Sequence, residues 1–150
     1  MNIDDLAPDF ALKDQYGKDF KRSDFRDKRI LLSFHPLAFT AFCTEQMLSL
    51  EANFDTITGL NAIPVGISVD PVPSKKAWSD SMGLKNLRIL SDFWPHGQAS
   101  QMYDIFRDKY GTSERANIIV DEGGKIVFLK VYEVLSVPDI QEVIAFLKTI

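Results

Sequence analysis

The residue of this 150-residue chain with the most distinctive chemistry is its only cysteine, Cys43. The thiolate is the reactive form of cysteine and is a strong nucleophile. A single cysteine forms no internal disulfide, which predicts a reducing compartment, here taken to be the cytoplasm. Because an unpaired cysteine more commonly serves as a small buried hydrophobe, its neighbours must decide between the two interpretations.

The residues before Cys43 favour the reactive interpretation. They read Pro36-Leu37-Ala38-Phe39-Thr40-Ala41-Phe42-Cys43, between a predicted strand that ends near Phe34 and a predicted helix that begins near Thr44. Unpaired N–H groups and the macrodipole at a helix N-terminus stabilise a thiolate. The same loop can present the Thr40 hydroxyl beside the sulfur. The segment therefore predicts a nucleophilic cysteine.

The spacing Pro-x-x-x-Thr-x-x-Cys resembles the active-site signature of the peroxiredoxins, which reduce hydrogen peroxide and organic hydroperoxides. This resemblance implies catalytic roles for Pro36, Thr40 and Cys43. It implies a further catalytic role for Arg115, which matches the arginine that completes the site from the start of a late strand. Gln46 matches a position that is often hydrogen-bonded to this arginine, so a supporting role is expected. Without the motif, Arg115 would be interpreted as a solvated charge.

A second segment, Asp92-Phe93-Trp94-Pro95-His96-Gly97, resembles one found in one-cysteine peroxiredoxins similar to alkyl hydroperoxide reductase E. In those proteins it lies close to the active-site pocket. The alternative interpretation is a turn with an aromatic anchor, since tryptophan is usually partly buried. No catalytic role is assigned to this segment. The resemblance also implies a homodimer formed near the active-site loops, for which Phe39, Phe42 and Phe93 are available.

The implied reaction places the peroxide against Thr40 Oγ, the Cys43 N–H and the Arg115 guanidinium while the thiolate attacks. Such fixed donors stabilise the charge that develops on the leaving oxygen, and Pro36 shields the sulfenic acid product. Without a second cysteine, recycling requires an external thiol, either a small molecule or a thioredoxin- or glutaredoxin-like protein. No cofactor is expected, and one cysteine with two histidines is too few for a sulfur–imidazole zinc site.

Three alternatives stay open. A peroxide sensor would use the same chemistry and relay its oxidation to a partner protein. A catalytically silent binding module on a thioredoxin-like scaffold would be expected to lack Thr40 or Arg115. A cysteine hydrolase could pair Cys43 with His35, but the sequence identifies neither a group that orients the base nor an oxyanion donor, so a partly buried His35 ring is the favoured interpretation.

Hydrophobic periodicity and turn residues predict the elements that position these residues. The predicted strands are Ala7 to Leu12, Asp19 to Arg22, Ile30 to Phe34, Ala62 to Val69, Arg88 to Leu90, Ala116 to Val120 and Lys125 to Tyr132. The predicted helices are Thr44 to Thr58, Lys75 to Met82 with Ser74 as its cap, Gln98 to Phe106, and Pro138 to Ile150. This order predicts one three-layer α/β domain over residues 1–150, with a mixed central sheet. The resemblance makes it a thioredoxin-like fold with an N-terminal β-hairpin extension.

Composition excludes several classes of function. The formal net charge is −4 and the pI is about 5.1, which argues against binding to nucleic-acid phosphates or to an anionic membrane surface. The N-terminus has neither a basic start nor an apolar stretch, and no apolar run approaches the roughly 20 residues of a membrane span. The expected partners are therefore a peroxide, an external thiol and a second copy of the chain.

Overall fold

The computed structural model describes residues 1–150. Its strands are β1 (Ala11–Asp14), β2 (Asp19–Lys21), β3 (Arg29–Phe34), β4 (Ala62–Ser68), β5 (Arg88–Ser91), β6 (Phe106–Arg107), β7 (Thr112–Ser113), β8 (Arg115–Val120) and β9 (Ile126–Tyr132). Its helices are α1 (Ala41–Ala52), α2 (Phe54–Gly59), α3 (Val72–Met82), α4 (Gln98–Met102) and α5 (Ile140–Leu147), and a 3-10 turn covers Arg22–Phe25. None of these helices combines the length and apolarity needed to cross a bilayer.

Seven strands form one mixed sheet in the order β2-β1-β5-β4-β3-β8-β9, and β6 pairs with β7 in a separate ribbon. The central strands β3, β4 and β5 are parallel, as expected for strands joined by helices, and the flanking pairs are antiparallel. Phe34 at the end of β3 lies opposite Ala116 near the start of β8. This register brings Arg115 to the edge of the sheet from which the loop before α1 departs.

The sheet has a separate hydrophobic core on each face. One core joins Leu31 and Ile119 of the sheet to Met47 of α1, Trp78 of α3 and Val143 of α5, and it includes Cys43. The other joins sheet residues to α4 and to the N-terminal segment. The predicted three-layer arrangement with a mixed sheet is therefore confirmed, with Cys43 on the helix-rich face.

Several predicted helix boundaries were wrong. The predicted helix from Thr44 to Thr58 is two helices, and the first begins three residues earlier, at Ala41. They are separated at Asn53, whose backbone lies at φ −106° and ψ 14° and whose Nδ2 donates to Ser49 O at 2.8 Å. An asparagine side chain that bonds the preceding turn competes with helix continuation. The earlier start places Cys43 inside the first turn of α1.

The other helices also differ at their ends. Helix α3 starts at Val72, with Pro73 in its first turn, so Ser74 is not its cap. Helix α4 ends at Met102, because the residues up to Phe106 turn into the β6–β7 ribbon. Helix α5 spans Ile140–Leu147, and the Asp139 carboxylate caps it by accepting the Gln141 N–H, which leaves Pro138 outside. The first hairpin strand starts at Ala11 rather than Ala7.

Candidate active site

Cys43 is the third residue of α1 and is fully buried. Thr40 precedes the helix with extended backbone angles, φ −86° and ψ 152°, and no side chain caps the helix. The first helical hydrogen bond runs from Thr44 N to Thr40 O at 2.9 Å. The N–H groups of the first turn, including that of Cys43, therefore have no partner within the helix and carry its partial positive charge. They can donate to an oxygen that approaches the sulfur.

Arg115 lies against the sulfur. Its Nη1 donates to Cys43 Sγ at 3.3 Å and to Gln46 Oε1 at 2.6 Å. On its other side, Nε and Nη2 donate to Val134 O at 3.0 and 2.7 Å. The guanidinium is buried and held from two sides, so its charge stays in place beside the thiol. An adjacent fixed positive charge favours the thiolate over the thiol.

Gln46 is held in one amide orientation by a buried polar chain. Its Nε2 donates to Ser33 Oγ at 2.7 Å and to Phe34 O at 3.2 Å. Ser33 Oγ in turn donates to Asn117 Oδ1 at 2.8 Å. With its nitrogen engaged on the sheet, Gln46 presents its oxygen to Arg115. Gln46 therefore bonds the arginine, as expected for its supporting position, and makes no hydrogen bond to the sulfur.

The loop before α1 is fixed by local contacts. Thr40 Oγ1 donates to Leu37 O at 2.8 Å, which leaves the lone pairs of this hydroxyl free to accept a hydrogen bond. Phe39 has a positive φ of 66°, a strained conformation for a bulky residue and one that clusters at functional sites. The Ala38 N–H donates at 2.9 Å to the carboxylate of Asp70, which also accepts from Ser68 Oγ at 2.6 Å. Asp70 thus anchors the loop to the end of β4.

A cavity of about 320 Å³ opens over the sulfur. All four residues predicted as catalytic line it, namely Pro36, Thr40, Cys43 and Arg115. Apolar side chains make up much of the remaining wall, and the β6–β7 ribbon adds Arg107 and Tyr110, with the guanidinium carbon 4.1 Å from the ring centroid. The structure therefore brings the predicted side chains together at the base of one largely apolar cavity.

His35 is fully buried rather than partly buried, and it makes no hydrogen bond to Cys43. Its Nδ1 lies 3.3 Å from Ser33 O, and its Nε2 lies 3.3 Å from Lys75 Nζ. Both ring nitrogens are therefore occupied elsewhere. A cysteine hydrolase needs an imidazole on the sulfur as its base, so the structure does not form that pair.

The segment from Asp92 to Gly97 supports the cavity from outside. His96 Nε2 donates to Gly111 O at 2.7 Å, which braces the β6–β7 ribbon, and the buried Asp92 carboxylate accepts the Ala99 and Ser100 N–H groups. Burial raises the pKa of Asp92. The interpretation of Trp94 as an aromatic anchor is wrong, because 82% of its surface is exposed. No residue of this segment lines the cavity.

Three residues near the site were missed from the sequence. Val134 acts through its carbonyl oxygen, which its residue type does not reveal. Asp70 was interpreted only as the end of a strand, although an aspartate directly after a buried strand is placed to bond a neighbouring loop. Lys75 left a clearer signal, because it lies three residues before the buried Trp78 on the same face of α3.

No cluster of three or more histidine, cysteine, aspartate or glutamate side chains is arranged to hold a metal ion. The arrangement that is present is a thiol at a helix N-terminus, flanked by a buried guanidinium. Thiol-based oxidoreductases use a cysteine in a setting of this kind, where a thiolate is favoured.

Comparisons with known proteins agree with this class. The model of the AhpC/TSA family matches residues 3–129. Alkyl hydroperoxide reductase E from Mycobacterium tuberculosis is 35% identical over 140 residues, which cover 93% of this chain and 91% of that protein. Peroxiredoxin Bcp from Escherichia coli K12 is 32% identical over 132 residues, covering 84% and 83% of the two chains. The chain therefore belongs to the AhpC/TSA family, and its single cysteine makes it a one-cysteine member.

Solved structures confirm the fold. The reduced 2-Cys peroxiredoxin of Plasmodium vivax superposes with a TM-score of 0.89 at 24% identity, covering 99% of this chain and 81% of that one. The mitochondrial 2-Cys peroxiredoxin of Plasmodium falciparum gives the same TM-score at 22% identity, covering 99% and 93%. The predicted thioredoxin-like fold is thus confirmed.

Proposed function

We propose that Cys43 is the nucleophile with which this chain, a thiol-dependent peroxidase, reduces hydrogen peroxide and organic hydroperoxides. The observation that carries the proposal is the 3.3 Å contact between Arg115 Nη1 and Cys43 Sγ at the base of the cavity. A fixed guanidinium and the helix N-terminus together favour the thiolate, the form that attacks a peroxide. Because the sulfur is fully buried, a slender peroxide group reaches it more easily than a bulky electrophile does.

In the first step the thiolate attacks the nearer peroxide oxygen. An S–O bond forms, the O–O bond breaks, and its electron pair leaves on the distal oxygen as hydroxide or alkoxide, which takes a proton from solvent. Arg115 and the Cys43 N–H donate to the oxygens on which this charge develops. Since the Thr40 hydroxyl already donates to Leu37 O, its lone pairs accept the hydrogen of the peroxide. The products are Cys43 sulfenic acid and water or an alcohol.

In the second step an external thiol attacks the sulfenic sulfur and releases water, leaving a mixed disulfide. A second external thiol then attacks the external sulfur of this disulfide, which releases Cys43 as a thiol and joins the two external thiols in a disulfide. Because the chain has no other cysteine, both thiols come from outside it, from a small thiol or a thioredoxin- or glutaredoxin-like protein. Pro36 lines the same cavity as Cys43, and we assign it the role of shielding the sulfenic acid.

The test is the rate at which pre-reduced protein reacts with hydrogen peroxide, followed by tryptophan fluorescence in stopped flow. We expect a rate orders of magnitude above that of free cysteine, abolished by Cys43→Ser and strongly reduced by Thr40→Val. Thr58→Val is the matched control, since the exposed Thr58 hydroxyl also donates to the carbonyl three residues earlier. A wild-type rate no higher than that of free cysteine would contradict the proposal.

We also propose that residues 1–150 fold as one domain, that the protein acts in the cytoplasm, and that it forms a homodimer through the surface around the cavity. Phe39 of the loop, Phe42 in the first turn of α1 and Phe93 of the neighbouring segment are exposed there by 58%, 38% and 46%. Exposed aromatic side chains of this kind are typical of interfaces. Sedimentation of wild type and Phe42→Asp tests the dimer, which the charged side chain should dissociate.

A further inference from the structure

Lys75 is a lysine with no exposed surface, which is rare for this residue type. It lies in the first part of α3, with its Nζ 5.7 Å from the centroid of the Trp78 ring. The hydrogen-bond partner of its amine is His35 Nε2, at 3.3 Å. Burying an amine inside a protein is costly, so its retention needs an explanation beyond packing.

The hydrogen bonds of His35 determine which of its ring nitrogens carries the proton, and so whether the nitrogen facing Lys75 donates or accepts. Ser33 O is a carbonyl and can only accept, so His35 Nδ1 carries the proton in the 3.3 Å contact to it. In the neutral ring Nε2 then has a free lone pair, which accepts from Lys75 Nζ. Burial and the charges of Lys75 and Arg115 hold the pKa of His35 well below its usual range. The ring is therefore a neutral acceptor that holds the amine in place.

This pair lies directly behind the peroxidase site. His35 immediately precedes Pro36, and the Trp78 indole of α3 donates to Thr44 Oγ1 of α1 at 3.2 Å, one residue after Cys43. Met47, one turn further along α1, and His35 both approach the Gly66 backbone of β4. An added Cβ at Gly66 would overlap Met47 Sδ and would lie 3.3 Å from His35 Cε1, so the absence of a side chain there gives both residues room to pack. Lys75, His35 and Cys43 are thus parts of one packed unit.

We propose that Lys75 is a positioning residue of the peroxidase site, and that its buried ammonium, held by neutral His35, stabilises the Cys43 thiolate from within the core. This inference rests on the proposed role of Cys43 as the nucleophile. Arg115 supplies one positive charge at the sulfur, and Lys75 supplies a second from within the core.

The ionisable groups around Lys75 support this coupling. Burial lowers the pKa of Lys75 from its ordinary 10.5 to about 7, while the negative charges of Asp70, Cys43 and Asp92 act against that fall. These groups come from the ends of β4 and β5 and from α1, and His35 faces Lys75 from the end of β3. Arg115, from β8, acts on the same cluster through His35. Electrostatic coupling is reciprocal, so a thiolate that favours charged Lys75 is itself favoured by that charge.

The first test measures how fast iodoacetamide alkylates Cys43 as a function of pH. The midpoint of this profile reports thiolate formation and does not depend on peroxide chemistry. In Lys75→Met we expect the midpoint to move to higher pH by roughly one unit, a tenfold loss of thiolate below the midpoint. Lys76→Met is the matched control, since Lys76 is the exposed neighbour paired with Asp80, and it should leave the midpoint unchanged. An unchanged midpoint in folded Lys75→Met would overturn the proposal.

The second test leaves Lys75 in place. The 13Cε shift of Lys75 in labelled protein reports its own titration, compared between wild type and Cys43→Ser. We expect a lower midpoint in Cys43→Ser, because the thiolate that stabilises the ammonium is gone. Equal midpoints would overturn the proposal even if Lys75→Met fails to fold. If wild type does not react with peroxide, the proposed function fails, whereas both tests of Lys75 still give a result.

Discussion

Arg115 and Lys75 are two buried cations of the same site whose surroundings differ. Arg115 divides its donors among Val134 O, Gln46 Oε1 and Cys43 Sγ, and it borders a cavity. Lys75 has one hydrogen-bond partner and is enclosed by the core. A guanidinium keeps its charge at any physiological pH, whereas the enclosed amine titrates near neutral pH. On the proposed role of Lys75, Arg115 supplies a constant charge to the sulfur and Lys75 supplies one that depends on pH.

Removing the constant charge should have the largest effect. In Arg115→Met we expect the rate of Cys43 oxidation by hydrogen peroxide to fall by about 10²–10³, as when a fixed donor is removed from a transition state. Stopped flow on pre-reduced protein measures this rate. Arg26→Met, at an exposed arginine, is the control and should keep the wild-type rate. An unchanged rate in Arg115→Met would show that the Arg115 charge does not act on the reaction, which contradicts the comparison with Lys75.

Removing the pH-dependent charge should raise stability while it lowers reactivity. The folded-state pKa of Lys75 is about 7 against an ordinary 10.5, so between these values the unfolded chain binds one more proton than the folded chain. Stability then rises with pH across this window, and the full cost of burying the charge applies below about pH 7. Lys75→Met should therefore be more stable at pH 6, by roughly 1–4 kcal/mol, with a smaller gain at pH 9.

Urea unfolding at both pH values measures this difference, with Lys76→Met as the control. A Lys75→Met variant less stable than wild type at pH 6 would show that Lys75 contributes mainly through its contacts. A structural role of that kind would also leave the alkylation midpoint in place, so the two measurements separate charge from packing.

Removing one of the contacts that hold the Arg115 guanidinium, while keeping its charge, should have the smallest effect. Gln46→Leu removes the acceptor on Arg115 Nη1 and leaves the other contacts of the guanidinium at Val134 O. We expect the peroxide rate to fall by about tenfold, the equivalent of one hydrogen bond to a charged group. A matched change elsewhere, Asn53→Leu on the helix break, should leave the rate unchanged. A loss as large as that of Arg115→Met would show that Gln46 does more than orient the arginine.

Much of this site could be predicted, because its reactive side chains are recognisable from their residue types and their positions in the sequence. The resemblance of the Pro36, Thr40 and Cys43 spacing to the peroxiredoxin signature identified the loop, and the same resemblance singled out Arg115 as its partner. The β3–β8 register that joins them is a long-range property. The hydrophobic pattern predicted the strands of the central sheet but not β6 and β7. Only the pairing of the central strands places Arg115 beside the sulfur.

The missed features depend on backbone atoms or on three-dimensional enclosure. Val134 contributes a carbonyl that every residue has, and Asn53 divides a helix that periodicity alone would continue. Lys75 has the residue type of a surface position, and although its spacing from Trp78 places it on an inward face of α3, the packing of that helix against the sheet shows that it is fully buried. The sequence therefore predicted Cys43, Arg115 and Gln46, whereas tertiary structure was needed to find Val134, Asp70 and Lys75.

The most direct test of the account is the identity of the atom that a peroxide oxidises. Pre-reduced protein is mixed with one equivalent of hydrogen peroxide, trapped with dimedone and analysed by intact and tandem mass spectrometry. The account predicts a single adduct on Cys43 in wild type, formed far faster than with free cysteine, and no adduct in Cys43→Ser. Peroxide left unconsumed by wild type, with Cys43 still a thiol, would contradict it.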